Sequence, residues 1–177
     1  MHRRHGSIPK RNRLGVVANS SAFAALAAGI THASGVDLQG FAPATIHTLQ
    51  SIFPGAQLPV NPVDAGLQAK PNQMQASAEA VLRDSEIDGL LVVLGPTLFS
   101  TPTDSIRAVS NVAKRTPKPV FLSWAGHRHD DAVAALLPEL AQSQVIALRS
   151  SASAVQAFGT LAQHRRETIA RREAPEP

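Results

Sequence analysis

The stretch Leu14 to Gly35 constrains the fold of this chain more than any other, because it reads as a buried strand that turns straight into a helix. Leu14, Gly15, Val16, Val17 and Ala18 form a short apolar run without alternation, the pattern of a strand covered on both faces in a parallel sheet. Asn19, Ser20 and Ser21 then supply side chains suited to capping amide groups, and Phe23, Leu26, Ala27 and Ile30 recur at helical spacing. Gly35 stands where the helix has to stop and suits the left-handed backbone of a C-terminal cap, which gives a helix of roughly 13 residues and about 20 Å. The positive end of that helix faces the carboxyl edge of the sheet. Two readings of Asn19 to Ser21 are open at this point: they cap a structural helix, as any α/β fold requires, or they contribute to an anion site.

Before the net charge of +4 can be interpreted it has to be located. Residues 1–13 carry five Lys or Arg and no acid, residues 14–163 carry eight against ten acids, and residues 164–177 carry four against three. The sequence therefore divides into a basic flexible arm (1–13), a domain (14–166) whose body to residue 163 is slightly acidic, and a charged tail or linker (167–177). With one Trp, no Tyr and no basic run inside the domain, nucleic acid is not an expected partner. The length of 177 residues suffices for a core without disulfides, and the absence of Cys fits a reducing compartment. No apolar run reaches the roughly 18 residues that a membrane helix needs, so the expected location is the cytoplasm.

Further along, Val36 to Phe41 has the composition of a second, edge strand, and Pro43 opens a helix that Pro54-Gly55 ends. Residues Leu58 to Asp64 contain two prolines and read as an ordered crossing loop. A helix follows from Pro71 to Asp84, then the strand Ile87 to Leu94, a helix opening at Thr101-Pro102, and the strand Lys118 to Trp124. A helix broken near Pro138, a strand from Val145 to Leu148 and a last helix beginning near Ala152 complete the chain. The alternation predicts an α/β, flavodoxin-like three-layer sandwich with a five-stranded parallel sheet in the order 2-1-3-4-5 and helices on both faces. Ligands of such folds meet the carboxyl ends of the strands, where Asn19 to Ala22, Asn61 to Asp64, Gly95 to Thr97, Trp124 to His129 and Arg149 to Ser151 collect.

Several chemistries are disfavoured by the residues at that edge. The first strand ends in Asn19-Ser20 rather than the acids a receiver domain uses for its metal, and the chain lacks the aromatics and phosphate loop of a flavin site. It contains no G-x-S-x-G elbow, no G-x-x-x-x-G-K loop and no G-x-G-x-x-G. His127, His129, Asp130 and Asp131 are suitable metal ligands by type, but neighbours in a turn seldom converge on one ion, and no metal site is assigned.

The succession Val16-Val17-Ala18-Asn19-Ser20, Asn61-Pro62-Val63-Asp64, Ile87 to Leu94, Lys118 to Gly126 and Ser153 to Phe158 resembles the succinyl-CoA-synthetase-like flavodoxin (CoA-ligase) domain of NDP-forming acyl-CoA synthetases. The resemblance spans about Leu14 to Arg166, and His164-Arg165-Arg166 with Glu173-Ala174-Pro175 also resembles the exit from this domain in related bacterial protein lysine acetyltransferases. It implies an accessory or detached domain, inactive alone, of an acid–thiol ligase. CoA, a nucleotide and Mg would be handled by the complete enzyme, and none would be bound by this chain by itself. The implied partners are a CoA-binding and phosphohistidine domain and an ATP-grasp domain, or, in the alternative reading of a noncatalytic regulatory module, an acetyltransferase domain. The resemblance also marks Asn19, Ser20, Ser21 and Ala22 as residues near the phosphohistidine, with Asn61 and Asp64 as carboxyl-edge candidates; it assigns no catalytic residue. Where the family has a glycine-rich Asn-(Gly/Ala)-Gly-Gly-Pro-Gly cradle, this chain has Asn19-Ser20-Ser21-Ala22-Phe23-Ala24, whose side chains narrow the approach of a phosphate to the backbone.

Overall fold

In a computed structural model, which describes residues 8–54, 59–96, 102–125 and 131–173, five parallel strands stack in the order β2-β1-β3-β4-β5. The strands are β1 (Leu14–Ala18), β2 (Val63–Asp64), β3 (Gly89–Leu94), β4 (Val120–Trp124) and β5 (Val145–Leu148). The helices are α1 (Ser21–Ala33), α2 (Pro43–Ile52), α3 (Pro71–Arg83), α4 (Pro102–Ala113), α5 (Asp131–Ala134), α6 (Leu137–Gln142) and α7 (Ser151–Glu173). This is the expected flavodoxin-like topology, with β1 inside the sheet in register from Leu14↔Gly89 to Ala18↔Val93 along β3.

Alternation along apolar strands sends their side chains to two separate layers. Val17, Leu90, Val92, Leu94 and Leu122 face the layer that buries α2, α3, α4 and α6, whereas Val16, Leu91, Val93 and Phe121 face α1 and α7. In the second layer Phe121 and Phe158 meet edge to face, with ring centroids 6.2 Å apart and planes at 84°. Helix α1 ends as its sequence requires: Gly35 takes φ +64, the left-handed conformation that carries the chain off the helix.

Three sequence expectations need correction. The edge strand is Val63–Asp64, within the expected loop, while 36–41 contributes only a bridge between Asp37 and Arg13. The reason is that Pro59 and Pro62 end before Val63, so the two residues after them keep their amides and align with Val17 and Ala18. Residues 167–173 of the charged tail are also helical, since α7 continues to Glu173. No proline interrupts it before that residue, and Gln163 donates to Glu167 along one face.

The third correction concerns the basic arm, whose last residues are packed. The Arg13 side chain is 9% exposed, and its Nε donates to Asp88 Oδ2 at 2.9 Å, its Nη2 to the Ser85 carbonyl at 2.7 Å, and its Nη1 to Glu86. Asn12 Nδ2 donates to the Gly35 carbonyl at 2.7 Å, and Asp37 N donates to the Asn12 carbonyl at 2.9 Å. Asp88 is only 4% exposed at its side chain, so its charge needs a partner, and a guanidinium supplied from the chain leading into β1 is that partner. Lys118 lies in the same cluster and donates to the Asp84 carbonyl at 2.6 Å. Burial holds its ammonium below the ordinary lysine range, against the opposing pull of the Asp88 and Asp84 carboxylates.

Removing one member of a buried pair leaves the other uncompensated. Arg13→Ala is expected to lower the unfolding free energy by about 3 kcal/mol. Arg11→Ala, whose side chain is 57% exposed beside the same Asp88, should cost less than about 1 kcal/mol. Urea denaturation of the two variants measures the difference, and equal, small losses would show that the Arg13 pair carries no structural weight.

Candidate functional site

The site suggested by the sequence lies where β1 runs into α1. Asn19 is 3% exposed, and both ends of its side-chain amide are held by Gly95: Nδ2 donates to the Gly95 carbonyl at 2.9 Å and Oδ1 accepts from Gly95 N at 2.8 Å. Asn19 N also donates to the Val93 carbonyl at 3.2 Å, so the ends of β1 and β3 are tied by three hydrogen bonds. Asn19 is therefore a buried residue that positions the edge. Beside it the Phe23 ring lies so close to Gly95 that a β-carbon there would collide with it, and the ring would have to shift.

Ser20 is the N-cap residue of α1, with extended backbone (φ −163, ψ 140), yet its hydroxyl caps no amide. The amides of Ser21, Ala22 and Phe23 precede the first helical bond, made by Ala24 N to the Ser20 carbonyl at 2.9 Å, and no acid stands in the first turn. Helix α7 contrasts with this, because Ser150 Oγ accepts from Ser153 N at 3.1 Å and closes its first turn. Ser21 and Ala22, at the start of α1, are exposed and Ser20 is half-buried.

Asn61 and Asp64 are brought to β1, but to different levels of it. Asn61 turns its amide inward: Oδ1 accepts from Val16 N at 3.0 Å, and Nδ2 donates to the carbonyls of Leu14 at 2.8 Å and Gln39 at 3.0 Å. It occupies the place of a strand's peptide group along β1 and is not presented at the carboxyl edge. Asp64 is exposed, pairs with Ala18 in register, and its Oδ1 accepts from Gly66 N at 2.9 Å, a short turn in which Gly66 takes φ +77. The structure thus gathers Ser20, Ser21, Ala22 and Asp64 at the edge and places Asn19 and Asn61 beneath it as supports.

Of the other carboxyl-edge segments, Thr97 and residues 126–130 lie outside the described residues, including His127, His129 and Asp130. Trp124, which the sequence places at this edge without a role, has a buried Nε1 with no hydrogen-bond partner among the described residues. Ser151 Oγ donates to Ser123 Oγ at 3.4 Å beneath it. Among the described residues no three His, Asp or Glu side chains converge as metal ligands, and no helix is long and apolar enough to cross a membrane. A cavity of about 310 Å³ lies at the opposite end of α1, lined by His32, Val36, Asp37, Leu38 and Gln39, away from this chemistry.

No protein-family model matches the chain. In an alignment of 127 positions that covers 68% of its length, it is 31% identical to the alpha subunit of acetate–CoA ligase (ADP-forming) II of Pyrococcus furiosus. The chain spans about a quarter of that subunit, 27% of its length. Among solved structures it matches a dinucleotide-forming acetyl-coenzyme A synthetase of Ca. Korarchaeum cryptofilum, with a TM-score of 0.80 and 21% identity over 95% of this chain and 37% of the other. A structure of the same synthetase with phosphate and ADP matches with a TM-score of 0.80 at 22% identity, over 96% of this chain and 37% of that one. A Pyrococcus horikoshii protein matches with a TM-score of 0.80 at 20% identity, over 90% of this chain and 37% of its own. At such identities the structural matches establish the fold, and together with the ligase relative they bear out the resemblance to the CoA-ligase domain. They do not show the acetyltransferase relation.

The contact between Phe23 and Gly95 is testable by a mutant cycle. Gly95→Ala is expected to cost about 1–3 kcal/mol through the clash with the ring, and much less when Phe23→Ala has already removed it. Unfolding free energies of the two single variants and the double variant measure the coupling, and strict additivity would show that the ring does not press on this turn.

Proposed function

We propose that this chain, related over 127 residues to the alpha subunit of an ADP-forming acetate–CoA ligase, serves as the accessory CoA-ligase domain of an NDP-forming acyl-CoA synthetase. The complete enzyme would interconvert acyl-CoA, NDP and phosphate with acid, NTP and CoA. The likeness to the ligase subunit is the observation that carries this reading, and the share of that subunit left uncovered supports the presence of further domains. CoA, the nucleotide and Mg belong to those domains, a CoA-binding domain bearing the phosphohistidine and an ATP-grasp domain. The contribution of this chain is the amino end of α1, whose uncapped amides suit contact with a phosphoryl group presented by a neighbouring domain. The same reading makes the protein a cytoplasmic one.

The residues around that contact set its strength. The dipole at an exposed helix end contributes roughly 0.3–1 kcal/mol, too little for useful affinity without close approach of the backbone. Ser20, Ser21 and Ala22 place β-carbons where a glycine cradle would let a phosphate reach the amides. That feature favours a second reading, a noncatalytic regulatory module of a synthetase-like protein acetyltransferase, in which the fold is kept and the phosphoryl contact is not.

Two measurements test the first reading. The purified chain supplied with ATP or GTP, Mg, acetate and CoA is expected to form no thioester, because the groups that would carry the phosphoryl and the nucleotide lie on partners; thioester formation by the chain alone would contradict this. Inorganic phosphate followed by amide NMR should bind no tighter than about millimolar, and tighter when Ser20→Gly, Ser21→Gly and Ala22→Gly are combined. Micromolar binding by the unmodified chain, with shifts centred on 19–24, would mean that the serines themselves form a working cradle.

A further inference from the structure

The sheet ends differently on its two sides. Beside β1 the edge is β2, two residues long, preceded by Pro59 and Pro62 and ending in the exposed acid Asp64. Shortness, prolines and a charge are the devices by which an edge strand avoids pairing with other chains. On the far side the edge is β5, Val145-Ile146-Ala147-Leu148, which carries no charge, proline or glycine. It follows Gln144, whose left-handed backbone (φ 65) turns the chain out of α6 and into the strand.

The direction of the backbone groups of β5 follows from the ladder. Leu90 N donates to the Pro119 carbonyl and Ala125 N to the Leu94 carbonyl, so the odd-numbered residues of β4 turn toward β3, and Val120 and Leu122 turn toward β5. Val120 is in register with Val145, and Leu122 with Ala147. In a parallel ladder a residue bonds to the two neighbours of its register partner, so Val120 and Leu122 take up groups of Gln144, Ile146 and Leu148. Val145 and Ala147 are left with their N–H and C=O directed away from the sheet. Their side chains pack into the layer of α3 and α4, whereas Leu148 packs into the layer of α1 and α7. Ile146 lies on the same face as Leu148 but belongs to neither packed cluster, and it is 37% exposed.

We propose that β5 is a homodimerisation edge, which pairs antiparallel with β5 of a second copy about a two-fold axis through Ile146. In that register Val145 stands opposite Ala147 of the second copy, and Ala147 opposite its Val145. Those are the residues whose groups point outward, so each pair exchanges both of its hydrogen bonds. A slip of one residue would set outward groups against groups already bonded to β4. Ile146 then faces its own copy as a non-hydrogen-bonded pair, the kind in which side chains come closest, and each covers the other. The nearest charge, Arg149, falls opposite Ser143, so no like charges meet. A second copy is the occupant because the contact is self-complementary: a foreign strand would have to bring its own apolar partner for Ile146, which symmetry supplies here. The edge is separated from β1 by β3 and β4, and the inference goes beyond the synthetase reading.

Sedimentation equilibrium of the full chain tests it, with a reversible dimer of Kd about 10–100 μM expected for so short a strand pair. Ile146→Lys, which sets two ammonium groups against each other at the axis, should weaken dimerisation by about ten-fold or more. Val60→Lys, a change at an exposed apolar residue beside the opposite edge, should leave it unchanged. The sequence has no cysteine, so Ile146→Cys introduces a single thiol whose pairing across the axis reports the register. With diamide as oxidant, taking one hydrogen from each of two thiols, Ile146→Cys is expected to give a disulfide-linked dimer on non-reducing gels. Arg149→Cys, whose two copies lie at opposite ends of the paired strands, should remain monomeric. Far-UV circular dichroism verifies that each variant keeps its fold. A chain that is monomeric at about 1 mM overturns the proposal and leaves the edge to a strand of another protein. So does a dimer as tight in Ile146→Lys as in the unmodified chain, or equal cross-linking at 146 and 149.

Discussion

The structure depends on how the outer edge of β1 is satisfied. A buried strand must pair its amide and carbonyl groups on both sides, and β1 has a full neighbour only in β3. Its other side is completed by three separate pieces of chain. Leu14 N donates to the Asp37 carbonyl, the Asn61 side chain receives Val16 N and donates to the Leu14 carbonyl, and Ala65 N donates to the Ala18 carbonyl just beyond the two-residue strand β2. A side-chain amide does here what a strand's peptide group does elsewhere, since it offers donors and an acceptor in the same plane. This arrangement lets a proline-containing segment lie along a central strand without an orphaned backbone group.

That edge in turn determines the form of the candidate site. With β1 fixed on both sides, Asn19 is held over the end of β3 and locks onto Gly95, and α1 leaves the sheet with its first amides open. The polar residues that sequence reasoning marks as contacts divide into two kinds. Asn19 and Asn61 are consumed in positioning, whereas Ser20, Ser21 and Asp64 remain at the surface. The supports of this edge, Asn19 and Asn61, are built into the sheet, while the first amides of α1 stay without a side-chain cap.

Much of this is legible in the residues and some is not, for physical reasons. The continuous apolar runs reveal β1, β3, β4 and the strand order, because burial on both faces leaves a pattern in sequence, and Phe23, Ala27 and Ile30 mark the packed face of α1, although Leu26 in the same spacing is exposed. Strand β2 is hidden because two residues after a proline carry no periodicity, and because Asn61 pairs through its side chain. Arg13 is hard to separate from the arm, since an arginine reads as exposed until its partner, Asp88, is brought beside it by the fold. The end of α7 reads as a tail because a helix outside the core needs no apolar stripe. Asn19 reads correctly as the turn after β1, but nothing local to it reveals Gly95 as its partner.

The most direct test of the β1 edge is native-state hydrogen exchange at Val16 in Asn61→Ala. The Val16 amide, deprived of its Oδ1 acceptor, is expected to lose about 1–3 kcal/mol of protection beyond any loss shared by the amides of β3. If Val16 and β3 lose protection equally, or neither loses any, the Asn61 side chain is not what completes the edge of β1, and the central claim fails.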